Sequence, residues 1–131
     1  MLDGLCSLRL TRRYTAAPEE VWAALSDPES LARWLAVPRV IELRRGGRFE
    51  LEFPDGGRIE AGVREIEPGR VLELDWRYNG ENPSVVRFEL SQDGEETVLV
   101  LEHNRIEEPL GMVYIARWTS AVERFGERVE R

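Results

Sequence analysis

The 131-residue chain is of one-domain length, and its net charge of −7 argues against a nucleic-acid partner, whose phosphates demand a basic surface. One cysteine, Cys6, excludes an internal disulfide, and one histidine, His103, excludes a histidine-based metal cluster, so neither a metal nor another cofactor is expected. No apolar run reaches the roughly 20 residues that cross a bilayer, and MLDGLCSLRL, with Asp3 in its apolar run and no basic leader, does not read as a signal peptide, so a cytoplasmic protein is expected.

Residues 5–15 open the chain as an edge strand, with Leu8 and Leu10 alternating with polar neighbours. Two short helices follow. Proline suits the first helical position, where its missing N–H costs nothing and its fixed φ already fits. Pro18 and Pro28 each start a helix on that ground. Glu19 and Glu20 place negative charge at the first start, and Asp27 as cap with Glu29 does so at the second. Val21, Trp22 and Leu25 form an apolar stripe on the first helix, and Leu31, Trp34 and Leu35 on the second.

Beyond Leu35 the period changes to two. Turn residues at 45–47, 54–57, 67–69, 79–83 and 92–94 divide the chain into six strands. Five such turns predict an antiparallel meander. Phe49, Leu51 and Phe53 share one face, as do Ile59, Ala61 and Val63, and Leu72, Leu74, Trp76 and Tyr78. Charged residues alternate with them, which makes one face apolar and the other wet. In the last of the six, Thr97, Leu99, Leu101 and His103 are placed on the inner face. The Arg44, Arg45, Arg48 cluster reads as a solvated hairpin end, because Gly46 and Gly47 interrupt it and Glu50 and Glu52 follow.

Pro109 opens the final segment, in which Ile115, Trp118, Val122, Phe125 and Val129 recur at helical spacing. The apolar face of the meander is the surface large enough to bury that stripe. The expected architecture is therefore a single α+β domain over residues 1–131, with a seven-stranded antiparallel sheet. Two short helices follow its first strand, and a long C-terminal helix crosses its concave face.

The stretches RRYTAAPEEVWAALSDPESLARWL at 12–35, GGRFELEF at 46–53, GVREIEPGRVLELDW at 62–76, TVLVLEHNRI at 97–106 and ARWTSAVERF at 116–125 carry a resemblance. Together they are similar to the START-related, helix-grip superfamily also labelled SRPBCC, in its branch resembling the activator of heat-shock-protein-90 ATPase. Arg117 departs from that branch, whose members often have glycine before the tryptophan of the last helix. The resemblance implies the helix-grip fold, with a cavity between sheet and long helix that holds a lipid or other apolar small molecule in many relatives. It supplies no reaction, since the superfamily spans carriers, sensors, cyclases and co-chaperone domains.

For candidate chemistry, His103 would need a partner and an adjacent substrate to act as a base, and a structural histidine near the mouth of the groove is expected instead. Cys6 is expected to be an inert packed thiol. The glycine-rich turns lack the following helix that a phosphate loop needs. What stands out is the aromatic set, and Trp34, Phe49, Leu51, Trp76, Tyr78, His103, Tyr114 and Trp118 are the expected ligand-binding residues, with the polar tips of Tyr78, His103 and Tyr114 orienting the ligand. The function expected is non-catalytic binding of an apolar or lipid-like small molecule, by a monomer or homodimer. A co-chaperone-like domain acting on a partner ATPase, and a cyclase or hydrolase of the same superfamily, are the alternatives.

Overall fold

In the computed structural model, which describes residues 4–130, seven strands form one antiparallel sheet; Asp3 lies outside the described residues. The strands are β1 (Leu5–Tyr14), β2 (Val37–Ile41), β3 (Arg48–Glu52), β4 (Arg58–Glu67), β5 (Val71–Trp76), β6 (Ser84–Asp93) and β7 (Glu96–Glu107). The helices are α1 (Pro18–Ser26), α2 (Pro28–Trp34) and α3 (Gly111–Val129). This is the helix-grip arrangement expected from the sequence.

The strands run across the sheet in the order β1, β7, β6, β5, β4, β3, β2. β1 and β2 are thus opposite edges, and the chain must cross the whole sheet between them. With neighbouring strands roughly 4.8 Å apart, that is a passage of about 29 Å. α1 and α2 make it, packing on α3 along the way. Both begin as the prolines dictate: Ala17 N–H donates to Glu20 Oε1 across 3.4 Å, and Asp27 Oδ2 accepts from Ser30 N–H at 3.1 Å. The Trp34 indole then donates to Ala24 O at 2.7 Å and ties the second helix to the first.

From β2 to β7 every connection is a hairpin, and each contains one glycine at positive φ, from 64° at Gly94 to 90° at Gly56. The arginine cluster at the β2–β3 hairpin is exposed and paired, with Arg48 Nε at 2.8 Å from Glu50 and Arg45 at 3.0 Å from Glu65. The alternating faces separate as the period-two pattern requires. Phe49, Leu51, Ile59, Leu72, Leu74, Val86, Leu99 and Leu101 are buried in the core. β5 ends at Trp76, two residues short of the expected run. Tyr78 lies beyond it, in an isolated bridge to Ile59.

Two expectations about the last helix are corrected. Pro109 occupies a 3-10 turn, Glu108–Leu110, and the α-helix begins at Gly111. Ile115 is 43% exposed, and Tyr114 takes the buried position in its place. The stripe of Trp118, Val122, Phe125 and Val129 extends backward by four residues to Tyr114, and Ile115 falls at the solvent edge of that face. Cys6 is half-buried against the core at the start of α3, where a β-carbon on Gly111 would come within 3.0 Å of its sulfur.

Candidate functional site

Between the sheet and α3 lies a half-open cleft of about 410 Å³. Its sheet side is made by Phe53, which follows β3, by Trp76 at the end of β5, and by Tyr78. Tyr114, Arg117, Trp118, Ala121 and Arg124 form the helix side, at the i, i+3, i+4, i+7 spacing that puts them on one face. Leu35, just past α2, also lines the cleft. The helix pair therefore bounds the cleft as well as crossing the sheet.

Three charged groups, Asp55, Arg117 and Arg124, line this apolar space, and a fourth, Glu81, bonds to one of its tyrosines. The Arg117 guanidinium sits 4.5 Å from the centre of the Tyr78 ring and 5.9 Å from that of Tyr114, a cation–π arrangement. Arg124 Nε donates to Trp34 O at 3.1 Å and joins α3 to α2. Asp55 Oδ1 accepts from Gly57 N–H at 2.8 Å within the β3–β4 turn. The Tyr114 hydroxyl donates to Glu81 Oε1, also at 2.8 Å. Burial and the Glu81 carboxylate both push the Tyr114 phenol above its ordinary pKa, so it remains a neutral donor.

His103 is fully buried on β7, which corrects its expected place near the groove mouth. The Trp118 indole donates to its Nδ1 at 2.9 Å, and its Nε2 lies 2.7 Å from Ser84 Oγ. Because an indole N–H only donates, Nδ1 is the acceptor and the neutral ring carries its proton on Nε2. That proton is given to Ser84, whose hydroxyl reaches Trp76 O at 3.4 Å. Trp76, Tyr114 and Trp118 pack around the imidazole, Tyr114 with ring centres 4.4 Å apart. Burial depresses the imidazole pKa to about 3. A base toward Ser84 would need a lone pair on Nε2, and the lone pair is on the other nitrogen.

Of the residues singled out from the sequence, Trp76, Tyr78, Tyr114 and Trp118 come together along the cleft. Trp34, Phe49, Leu51 and His103 lie in the core, each no more than 2% exposed. Trp34 meets Phe125 edge-on at 4.9 Å and Phe88 at 6.3 Å. Arg117, Arg124 and Asp55 are cleft residues that pattern reading passed over. For the two arginines the signal was present, since they stand three and ten residues from Tyr114 on the same helical face.

A model of the family described as Activator of Hsp90 ATPase homolog 1-like protein matches residues 15–130. Among solved structures, CalU16 from Micromonospora echinospora is 33% identical, with a TM-score of 0.84 over 95% of this chain and 76% of that one. CV1439 from Chromobacterium violaceum shares the fold, with a TM-score of 0.85 at 23% identity, over 95% of this chain and 97% of its own. DynU16, from the dynemicin biosynthetic locus, shares it too, with a TM-score of 0.83 at 24% identity; the match covers 92% of this chain and 46% of DynU16. No curated protein matched the chain. With nearly its whole length matched by the family model and its fold shared with these structures, the chain belongs to the Activator of Hsp90 ATPase homolog 1-like family, within the START-like helix-grip proteins.

Proposed function

We propose that the protein binds an apolar small molecule in the cleft between sheet and α3, without transforming it, as a carrier, sensor or regulator. The observation that carries this reading is the cleft itself: about 410 Å³, half-open, with five aromatic side chains on its walls. Ligand sites occupy roughly 300–1,000 Å³ and are lined in this way, by apolar rings with a few polar groups. The His103 tautomer supports the non-catalytic reading, because the one imidazole in the chain is spent on a satisfied internal chain of hydrogen bonds.

Native mass spectrometry of protein purified gently from its own host tests it. An adduct near one equivalent, released unchanged on denaturation, is the expected result. A bare protein that also excludes apolar dyes would overturn the proposal and turn the search toward a protein partner such as an ATPase. A released molecule that the protein converts on reloading would place it among the cyclases or hydrolases.

A further inference from the structure

Two guanidinium groups, Arg117 and Arg124, and one carboxylate, Asp55, line the cleft, so its wall is net positive in a chain whose net charge is −7. Acid is in surplus, with 25 acidic residues against 18 basic ones, and among the described residues nine arginines hold a carboxylate partner. Neither cleft arginine is one of them. Arg124 spends its Nε–H on Trp34 O and ties α3 to α2. Arg117 differs, because among the described residues no protein oxygen accepts from its N–H groups. Ring faces hold its charge instead, with the centre of Tyr78 at 4.5 Å and that of Tyr114 at 5.9 Å. Glu81 is taken by the Tyr114 hydroxyl and makes no ion pair with it. The Arg117 fork is therefore placed at the cleft wall and left without an acceptor.

We infer that the ligand is an apolar molecule with a single carboxylate, its body among the rings of the cleft and its carboxylate paired with Arg117. The inference rests on the small-molecule reading of the cleft and adds a charge to it. An apolar body follows from the walls, where Phe53, Trp76 and Trp118 offer uncharged surface. The site of the charge follows from exposure. Arg117 is exposed, so an acid paired there keeps its headgroup at the open side of the cleft and avoids the cost of burying an ion. The carboxylate follows from the fork, because two parallel guanidinium N–H groups match two carboxylate oxygens. That the charge is single follows from Asp55, which shares the cleft: a second negative group would exceed what two arginines and one carboxylate leave over.

The test uses three fluorescent probes with one ring system: dimethylaminonaphthalene, its 2-carboxylic acid and the primary amide of that acid, which has the same shape and no charge. At about pH 7 the acid is ionised. The unsubstituted protein should bind the acid about tenfold more tightly than the amide, the worth of a charge-assisted hydrogen-bond pair at an exposed site. Arg117→Met keeps an apolar stem over Tyr78 and removes the fork, so it should bring that ratio to about one whatever it does to the amide alone. Arg9→Met removes the same charge from an exposed position on β1 outside the cleft, and the ratio should survive it. An acid bound no more tightly than the amide by the unsubstituted protein would overturn the inference without any variant. So would a ratio that Arg117→Met leaves intact, or one that Arg9→Met lowers as much. Each of these outcomes leaves the small-molecule reading standing, whereas entry of none of the three probes would remove that reading itself.

Discussion

Trp118 Nε1 donates to His103 Nδ1 across 2.9 Å at the centre of the fold, and this contact fixes the charge state of the only histidine as well as its tautomer. A second proton would have to sit on Nδ1, facing a group that can only donate. Burial has the same effect, and together they make the folded protein hold a neutral imidazole well below the ordinary pKa of 6.5.

The pH dependence follows from that. The folded ring protonates near pH 3, whereas the unfolded ring protonates near 6.5. Between those values the unfolded chain binds more protons, so stability falls as pH falls, and below about 3 this group adds no further loss. Acidifying from about pH 7 to about pH 5 should cost about 2 kcal/mol through His103 alone, at about 1.4 kcal/mol per unit below the unfolded pKa. Urea unfolding at several pH values measures the slope. His103→Gln should flatten it over that window whatever it does to the stability at neutral pH, and an unchanged slope would contradict the assignment.

Trp34 makes a second prediction. Its indole joins α2 to Ala24 O of α1, and its ring lies against Phe88 and Phe125. Trp34→Phe removes the donor and part of the ring volume together. Losing a buried hydrogen-bond partner costs about 1–3 kcal/mol, and the cavity adds to it. A loss of about 3 kcal/mol is expected in chemical unfolding. Probe binding in the folded variant should change little, because Trp34 does not line the cleft.

Gly126 sits in the middle of the last turns of α3, where alanine would ordinarily help by about 1 kcal/mol. A β-carbon there would come within 3.1 Å of Tyr14 Cε1. Tyr14 cannot retreat freely: its hydroxyl donates to Val122 O at 3.1 Å, and its ring packs on Phe125 with centres 5.3 Å apart. Overpacking of this kind costs about 1–3 kcal/mol. Gly126→Ala should therefore lower the thermal midpoint, and a rise would mean that the ring moves aside.

Much of this fold was legible because local chemistry and global shape agree. Pro18 and Pro28 mark the helix starts, the turn glycines mark the hairpins, and period-two alternation identifies the buried face. The cleft was legible only by residue type. Phe49 and Trp76 both alternate correctly onto the inner face, yet one is roofed by core and the other borders open space. That difference depends on where α3 lies along the sheet, which no periodicity encodes. Hydrogen-bond partners were equally hidden: His103 and Trp118 stand 15 residues apart on different elements, and Trp76 lacks the acceptor that its neighbours have. Arg117 could be read only as a departure from a family pattern until the Tyr78 ring was seen beneath it.

The β3–β4 turn supplies the last prediction, because it shapes the cleft through an absent side chain. A β-carbon on Gly57 would lie 2.5 Å from the Tyr78 hydroxyl and 3.1 Å from Asp55 Oδ1. Gly57 also donates its N–H to Asp55, so the turn backbone is held in place. In Gly57→Ala the Tyr78 ring must yield, and with it the seat of the Arg117 guanidinium 4.5 Å above it. Binding of dimethylaminonaphthalene should weaken severalfold, with little change in global stability because Tyr78 is only half-buried. Adding Tyr78→Phe removes the hydroxyl that the new methyl meets and should restore part of the binding, a nonadditive result expected of residues in contact. If the two substitutions simply add, Gly57 does not act on the cleft through Tyr78.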